Sequence, residues 1–103
     1  MTIKILTEDN FDDFISSGNA IIDFYADWCG PCKIMAPHFE KASKEMKEVK
    51  FGKVDVDAES NLAGRFQVMS IPTTIFFKDK EQVERHTGAL SLDMIKGTAE
   101  EFF

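Results

Sequence analysis

Both cysteines of the chain fall in one stretch, Trp28-Cys29-Gly30-Pro31-Cys32-Lys33, and the residues on either side leave few folds open. Ahead of it stands Ile21-Ile22-Asp23-Phe24-Tyr25-Ala26, an apolar run that reads as a buried strand. Behind it Ile34, Met35, Phe39, Ala42, Met46 and Val49 recur at helical spacing. A Cys-x-x-Cys pair at a strand-to-helix junction serves chemistry; stability alone does not ask for it.

Pro31 suits a first helical turn, because its φ is already helical and its missing N–H would go unsatisfied there anyway. With a helix starting near Cys29, the two cysteines are i,i+3 neighbours, about 5–6 Å apart at Cβ and within reach of a disulfide. Gly30 carries no side chain, so another protein's backbone can approach Cys29 closely. The free N–H groups and positive dipole end of the helix favour a thiolate at Cys29, the form that attacks disulfides. As a mere staple the pair is poor, since so small a loop stabilises by only about 2 kcal/mol. As half of a zinc site it lacks a second pair. Position makes Cys29 the attacking thiol, and Cys32, one turn in and expected to be more shielded, the resolving one.

The 103 residues carry a net charge of -6 and are 44% hydrophobic, which predicts one domain spanning 1–103 with a real core. That charge disfavours nucleic acid or an anionic membrane as partner. No apolar run approaches the ~20 residues of a membrane helix. Met1 to Phe14 does not read as a signal peptide, so the expected compartment is the cytoplasm, where such a cysteine pair is catalytic more often than structural.

In order, the chain predicts a strand at 3–6, a helix capped by Thr7 and marked by Phe11, Phe14 and Ile15, and the strand 21–26. The cysteine helix runs to about Lys47, followed by a strand at 51–56 and a short helix at 58–66. Strands at 73–77 and 82–87 flank a turn at Lys78-Asp79-Lys80, and Ser91 caps a last helix. Three βα crossovers imply parallel pairing and the short turn an antiparallel hairpin. The fold class is therefore α/β, a central mixed five-stranded sheet flanked on both faces by four helices.

These residues together resemble the thioredoxin family over essentially the whole chain. Trp28-Cys29-Gly30-Pro31-Cys32-Lys33 matches the family's active-site hexapeptide without substitution. Asp23 falls where the family keeps a buried aspartate, Lys53 where it keeps the lysine beside it, and Pro37 where the active-site helix has its proline. Ile71-Pro72-Thr73 matches the cis-proline loop, and Gly88-Ala89 the glycine turn before the last helix. Three places depart from the pattern: Met69-Ser70 and the 78–80 turn lack a common glycine, and His38-Phe39 replaces paired aliphatics.

The resemblance implies the thioredoxin fold and a protein-disulfide reductase that cycles Cys29 and Cys32 between dithiol and disulfide. It implies a lowered thiolate pKa at Cys29 and a cis Ile71–Pro72 bond. Trp28, Gly30, Pro31, Ile71, Pro72 and Gly88 would form the substrate platform, with the Ile71 backbone pairing an extended target segment. A thioredoxin reductase would recharge the protein in electron transport and redox homeostasis; disulfide-containing proteins would be its targets. The expected state is a monomer with no cofactor beyond the cysteine pair.

Asp23 reads two ways. A lone carboxylate among Ile22, Phe24 and Tyr25 is either a strand-edge group in water or a buried base that takes the proton of Cys32. Lys53 is either a solvated charge or the modulator of that base. Trp28 serves as core, as contact surface, or as both. His38, roughly 240° around the helix from Cys32, and His86 do not complete a zinc site, and both read as surface residues. A disulfide isomerase or oxidant, and a binding module using the same fold with idle thiols, stand as the other readings.

Overall fold

A computed structural model describes residues 3–103. The elements are β1 (Ile3–Ile5), α1 (Phe11–Ile15), β2 (Asn19–Tyr25), α2 (Gly30–Glu45), β3 (Lys50–Asp55), α3 (Ser60–Arg65), β4 (Thr73–Lys78), β5 (Glu81–Thr87) and α4 (Leu92–Phe102). The five strands lie in the order β1-β3-β2-β4-β5, so β2, the strand that leads into the cysteines, is central.

Strand β2 reads as apolar throughout because both of its faces are covered. Ala20, Ile22 and Phe24 pack with Phe11, Ile15, Leu62 and Phe77 on the face of α1 and α3. Ile21 faces the other way, with Met35, Phe39, Phe51, Phe76 and Ile95 under α2 and α4. Asp23 lies on this second face, two residues beyond Ile21, and pairs across the ladder with Lys53 on one side and Thr74 on the other. A Cβ at Gly52 of β3 would stand 2.6 Å from Leu6 Cδ1 and 3.1 Å from Phe14 Cε2, so the strand can approach them only with glycine there.

Pairing departs from expectation at one crossover. β1 and β2 both run parallel to β3, but β4 runs antiparallel to β2 and β5 antiparallel to β4. The reason is length. With six residues, α3 rises only about 9 Å, against about 20 Å for a six-residue strand, so the helix itself does not carry the chain back to the far end of the sheet. The chain re-enters from the end where it left, with Thr73 opposite Phe24. The loop ahead of β4 is thereby set at the C-terminal end of β2, beside the cysteines.

Two local expectations are corrected. Thr7 does not cap α1: the helix begins after Asn10, whose side chain turns back to accept the Thr7 N–H at 2.7 Å. Ile34 is not in the buried stripe of α2 but 67% exposed, because the first turn of α2 is lined inward by Cys32 and Met35 alone. The Ser91 cap of α4 is present, its oxygen accepting the Met94 N–H at 3.2 Å.

Candidate active site

Cys29 is the N-cap of α2, in extended conformation, and Pro31 occupies the first turn behind it. The Cys29 Sγ accepts the Cys32 N–H at 3.2 Å, so one of the helix's free donors points at the sulfur. The two sulfurs are joined as a disulfide, with the Cα atoms 5.3 Å apart. The expected difference in shielding is absent: each cysteine is 4% exposed. Ala26, Tyr25, Val56 and Ile71 pack around both, closing them in together. What distinguishes the two is their neighbours. Cys29 Sγ lies 3.8 Å from the Ile71 carbonyl oxygen, while Cys32 lines a groove of about 120 Å³ shared with Tyr25, Asp27 and Lys53.

The Ile71–Pro72 peptide bond is cis. Among the described residues neither the N–H nor the carbonyl of Ile71 bonds to another backbone group, so both stand outside the backbone pairing of the sheet. Pro72 is buried, and its carbonyl accepts the Gly88 N–H at 2.8 Å. Gly88 has φ +106°, a conformation that glycine alone adopts without strain, and a Cβ there would meet nothing. Space is equally open at Gly30. Thr73 Oγ1 donates to the Ser70 carbonyl at 2.6 Å, fastening the loop just ahead of the proline.

Trp28 is not core: it is 70% exposed. Its indole N–H donates to Asp57 Oδ2 at 2.7 Å, and the Asp57 N–H donates to Asp55 Oδ1 at 2.9 Å. Asp57 therefore orients the ring, a role that a separation of 29 residues hides from any sequence pattern. His38, exposed as expected, has a partner that spacing did not suggest: its Nδ1 accepts the N–H of Leu92 at 3.1 Å, tying α2 to the start of α4.

The strand-edge reading of Asp23 does not hold. The residue is 1% exposed in a central strand, and among the described residues neither carboxylate oxygen has a hydrogen-bond partner. Burial raises its pKa from 3.8 to about 6, with the charge of Lys53 pulling the other way. Lys53 does not bond the carboxylate; its ammonium sits 4.4 Å from the centre of the Tyr25 ring. Burial and the negative charges of Asp55, Asp27 and Asp23 raise the Tyr25 hydroxyl above its ordinary value. The arrangement joins a redox-active cysteine pair, an unpaired carboxyl near neutrality and an open backbone edge.

The chain matches the thioredoxin family model over residues 2–101. It is 44% identical over 86 residues to a thioredoxin of Chlamydia pneumoniae, covering 84% of each chain. It is 46% identical over 89 residues to one of Staphylococcus saprophyticus, covering 85% of this chain and 86% of that one. Among solved structures, a mutant thioredoxin from Halobacterium salinarum superposes with TM-score 0.91 at 33% identity, over 97% of this chain and 89% of that one. A Plasmodium falciparum thioredoxin gives 0.89 at 37%, over 97% and 99%.

Proposed function

The chain belongs to the thioredoxin family and is a thiol–disulfide oxidoreductase of protein substrates, and from that premise we propose how its residues divide the work. The Cys29 thiolate attacks one sulfur of a target disulfide. A Cys29–target disulfide forms, and the other target sulfur leaves as a thiolate that takes a proton from solvent. Asp23 then removes the proton of Cys32. The Cys32 thiolate attacks Cys29 Sγ, closes the Cys29–Cys32 bond and releases the second target thiolate. Two electrons have passed from the pair to the target, and a thioredoxin reductase returns them.

The observation that carries this division is the asymmetry of surroundings. Cys29 Sγ faces the open Ile71 backbone at 3.8 Å, whereas Cys32 faces the groove of Lys53, the charged neighbour of Asp23. Lys53 tunes Asp23 and is not itself a proton carrier. Trp28, Gly30, Pro31, Ile71, Pro72 and Gly88 form the docking platform, in which an extended target segment adds to the Ile71 edge as a strand. The cysteine pair is the whole redox unit and takes no further cofactor. We place the protein in the cytoplasm as a monomeric electron carrier for redox homeostasis; no helix of the described residues is long and apolar enough to cross a membrane. The net charge of -6 supports protein partners over nucleic acid or membrane.

Trapping tests the roles. Cys32→Ser accumulates a covalent complex with an oxidised protein such as insulin, and Cys29→Ser forms none. Trapped complexes appearing only with Cys29→Ser reverse the assignment.

A further inference from the structure

We propose that Arg85 is a positioning residue for target docking: its guanidinium grips the end of α3 and thereby holds the Met69-Ser70-Ile71 loop at Cys29. This rests on the reading of that loop as a docking edge. Arg85 stands on the outer strand β5, opposite Ile75, and reaches across the sheet. Its Nη1 donates to the Phe66 carbonyl at 2.8 Å and its Nη2 to the Gln67 carbonyl at 3.3 Å.

Those two carbonyls belong to an unusual helix end. Val68 N–H bonds to Ala63 O at 2.9 Å and Gln67 N–H to Gly64 O at 3.1 Å, the paired bonds of a Schellman cap. Such a cap puts its C′ residue in the left-handed region, where glycine is usual; here it is Gln67, with φ +54°. The Phe66 and Gln67 carbonyls are left over by that pattern, at the negative end of the helix. A planar cation with parallel donors is the group that satisfies both at once.

The cap matters because the docking loop starts directly after it. Met69 is 92% exposed, and among the described residues no backbone–backbone hydrogen bond holds Met69, Ser70 or Ile71. The loop is therefore fixed from its ends. Thr73 and Gly88 fasten the proline side, through Ser70 O and Pro72 O. Arg85 fastens the helix side. The hydrogen bonds of the Arg85 guanidinium go to the end of α3, and its action on the reaction passes through the loop that follows.

The test is the steady-state reduction of insulin by Arg85→Gln and Arg85→Lys, beside reduction of a small aromatic disulfide that needs no docking edge. If the loop holds its competent position a tenth of the time without the guanidinium, KM for insulin rises about tenfold. kcat and the small-disulfide rate stay as in the parent, and lysine, with one donor head for two carbonyls, falls between. An unchanged KM in folded Arg85→Gln overturns the proposal. The double variant Gln67→Gly/Arg85→Gln covers poor folding, since glycine removes the left-handed strain. Stability recovered with KM still raised supports positioning; stability and KM recovering together overturn it. Finally, a disulfide-containing peptide is titrated against the Cys29→Ser/Cys32→Ser protein while the Ile71 amide resonance is followed. No perturbation of that amide refutes the docking reading itself. Perturbation at the same peptide concentration with and without Arg85→Gln refutes only the role of Arg85.

Discussion

The ammonium of Lys53 rests 4.4 Å from the centre of the Tyr25 ring, although its partner across the β2–β3 ladder is Asp23, whose carboxylate has no hydrogen bond among the described residues. The cation is thus near enough to lower the Asp23 pKa and is held by a different group. Burial wins that contest and leaves Asp23 at about 6.

The pH dependence follows with a definite sign. Asp23 has a folded pKa above its unfolded value of 3.8, so the folded chain holds the extra proton between about pH 4 and 6. Its contribution to stability is full below that window and is lost as pH rises through it, by about 3 kcal/mol at neutrality. Asp23→Asn escapes the loss: denaturant titrations should show it level with the parent near pH 4 and more stable above pH 6. Resolution of the mixed disulfide should slow in the same variant. In the parent, resolution should lose rate as pH falls through about 6. Normal resolution in Asp23→Asn would leave the carboxylate without a role in proton transfer.

Replacing Tyr25 moves the cation. With Tyr25→Leu the ring that holds Lys53 is gone, and the ammonium settles nearer Asp23. The half-point of the resolution rate should then fall by about one pH unit, as expected for a closer opposite charge. Tyr25→Phe keeps a ring face and should titrate as the parent does. Equal profiles for Tyr25→Leu and Tyr25→Phe would show that the ring does not place the lysine.

Asp57 should matter for target binding and not for thiol chemistry. Its carboxylate is the acceptor that fixes the exposed Trp28 indole at 2.7 Å. Asp57→Ala removes a bond to a charged group, of about 1.5 kcal/mol, so KM for insulin should rise about tenfold with kcat retained. A fall in kcat alone would point to a different function for Asp57.

The β4–β5 turn offers a gain in stability. Asp79 and Lys80 both have positive φ, 47° and 79°, the two-residue primed turn that favours glycine at its second position. Asp79 is needed, since its Oδ1 accepts the Gly18 N–H at 2.7 Å. No hydrogen bond of Lys80's side chain stands among the described residues, only the pull of its charge on Asp12, and Lys80→Gly should add about 1 kcal/mol by removing left-handed strain. A lower Tm for this variant would refute the strain argument.

Local chemistry was legible in the sequence, and relationships across the fold were not. The cysteine pair, the strand ahead of it and the proline loop could be read because each is a continuous run with its own signature. Asp23 could be singled out because a carboxylate is costly between Ile22 and Phe24. Ile34 misled because helical spacing records which residues share a stripe, not where the sheet beneath that stripe ends. The antiparallel entry of β4 depended on the length of α3, which residue pattern gives only to within a turn. Asp57 under Trp28, His38 at Leu92 and Arg85 at Phe66 join residues far apart in the chain through single hydrogen bonds, and no periodicity encodes those.

The hairpin of β4 and β5 begins just after Pro72 and ends just before Gly88, and its last rung joins Thr73 to Thr87 with their hydroxyl oxygens 3.3 Å apart. Pro72 and Gly88 are thus the two feet of one uninterrupted piece of chain, whereas Trp28, Gly30 and Pro31 of the proposed platform belong with the cysteines and Asp23 to an earlier piece. The Ile71 side of the proposed platform can therefore be exchanged without touching the stretch that carries the cysteines. A relative's hairpin, spliced in from the end of α3 to Gly88, should shift the ranking of targets toward its donor's while the recipient's cysteines keep their own reduction potential.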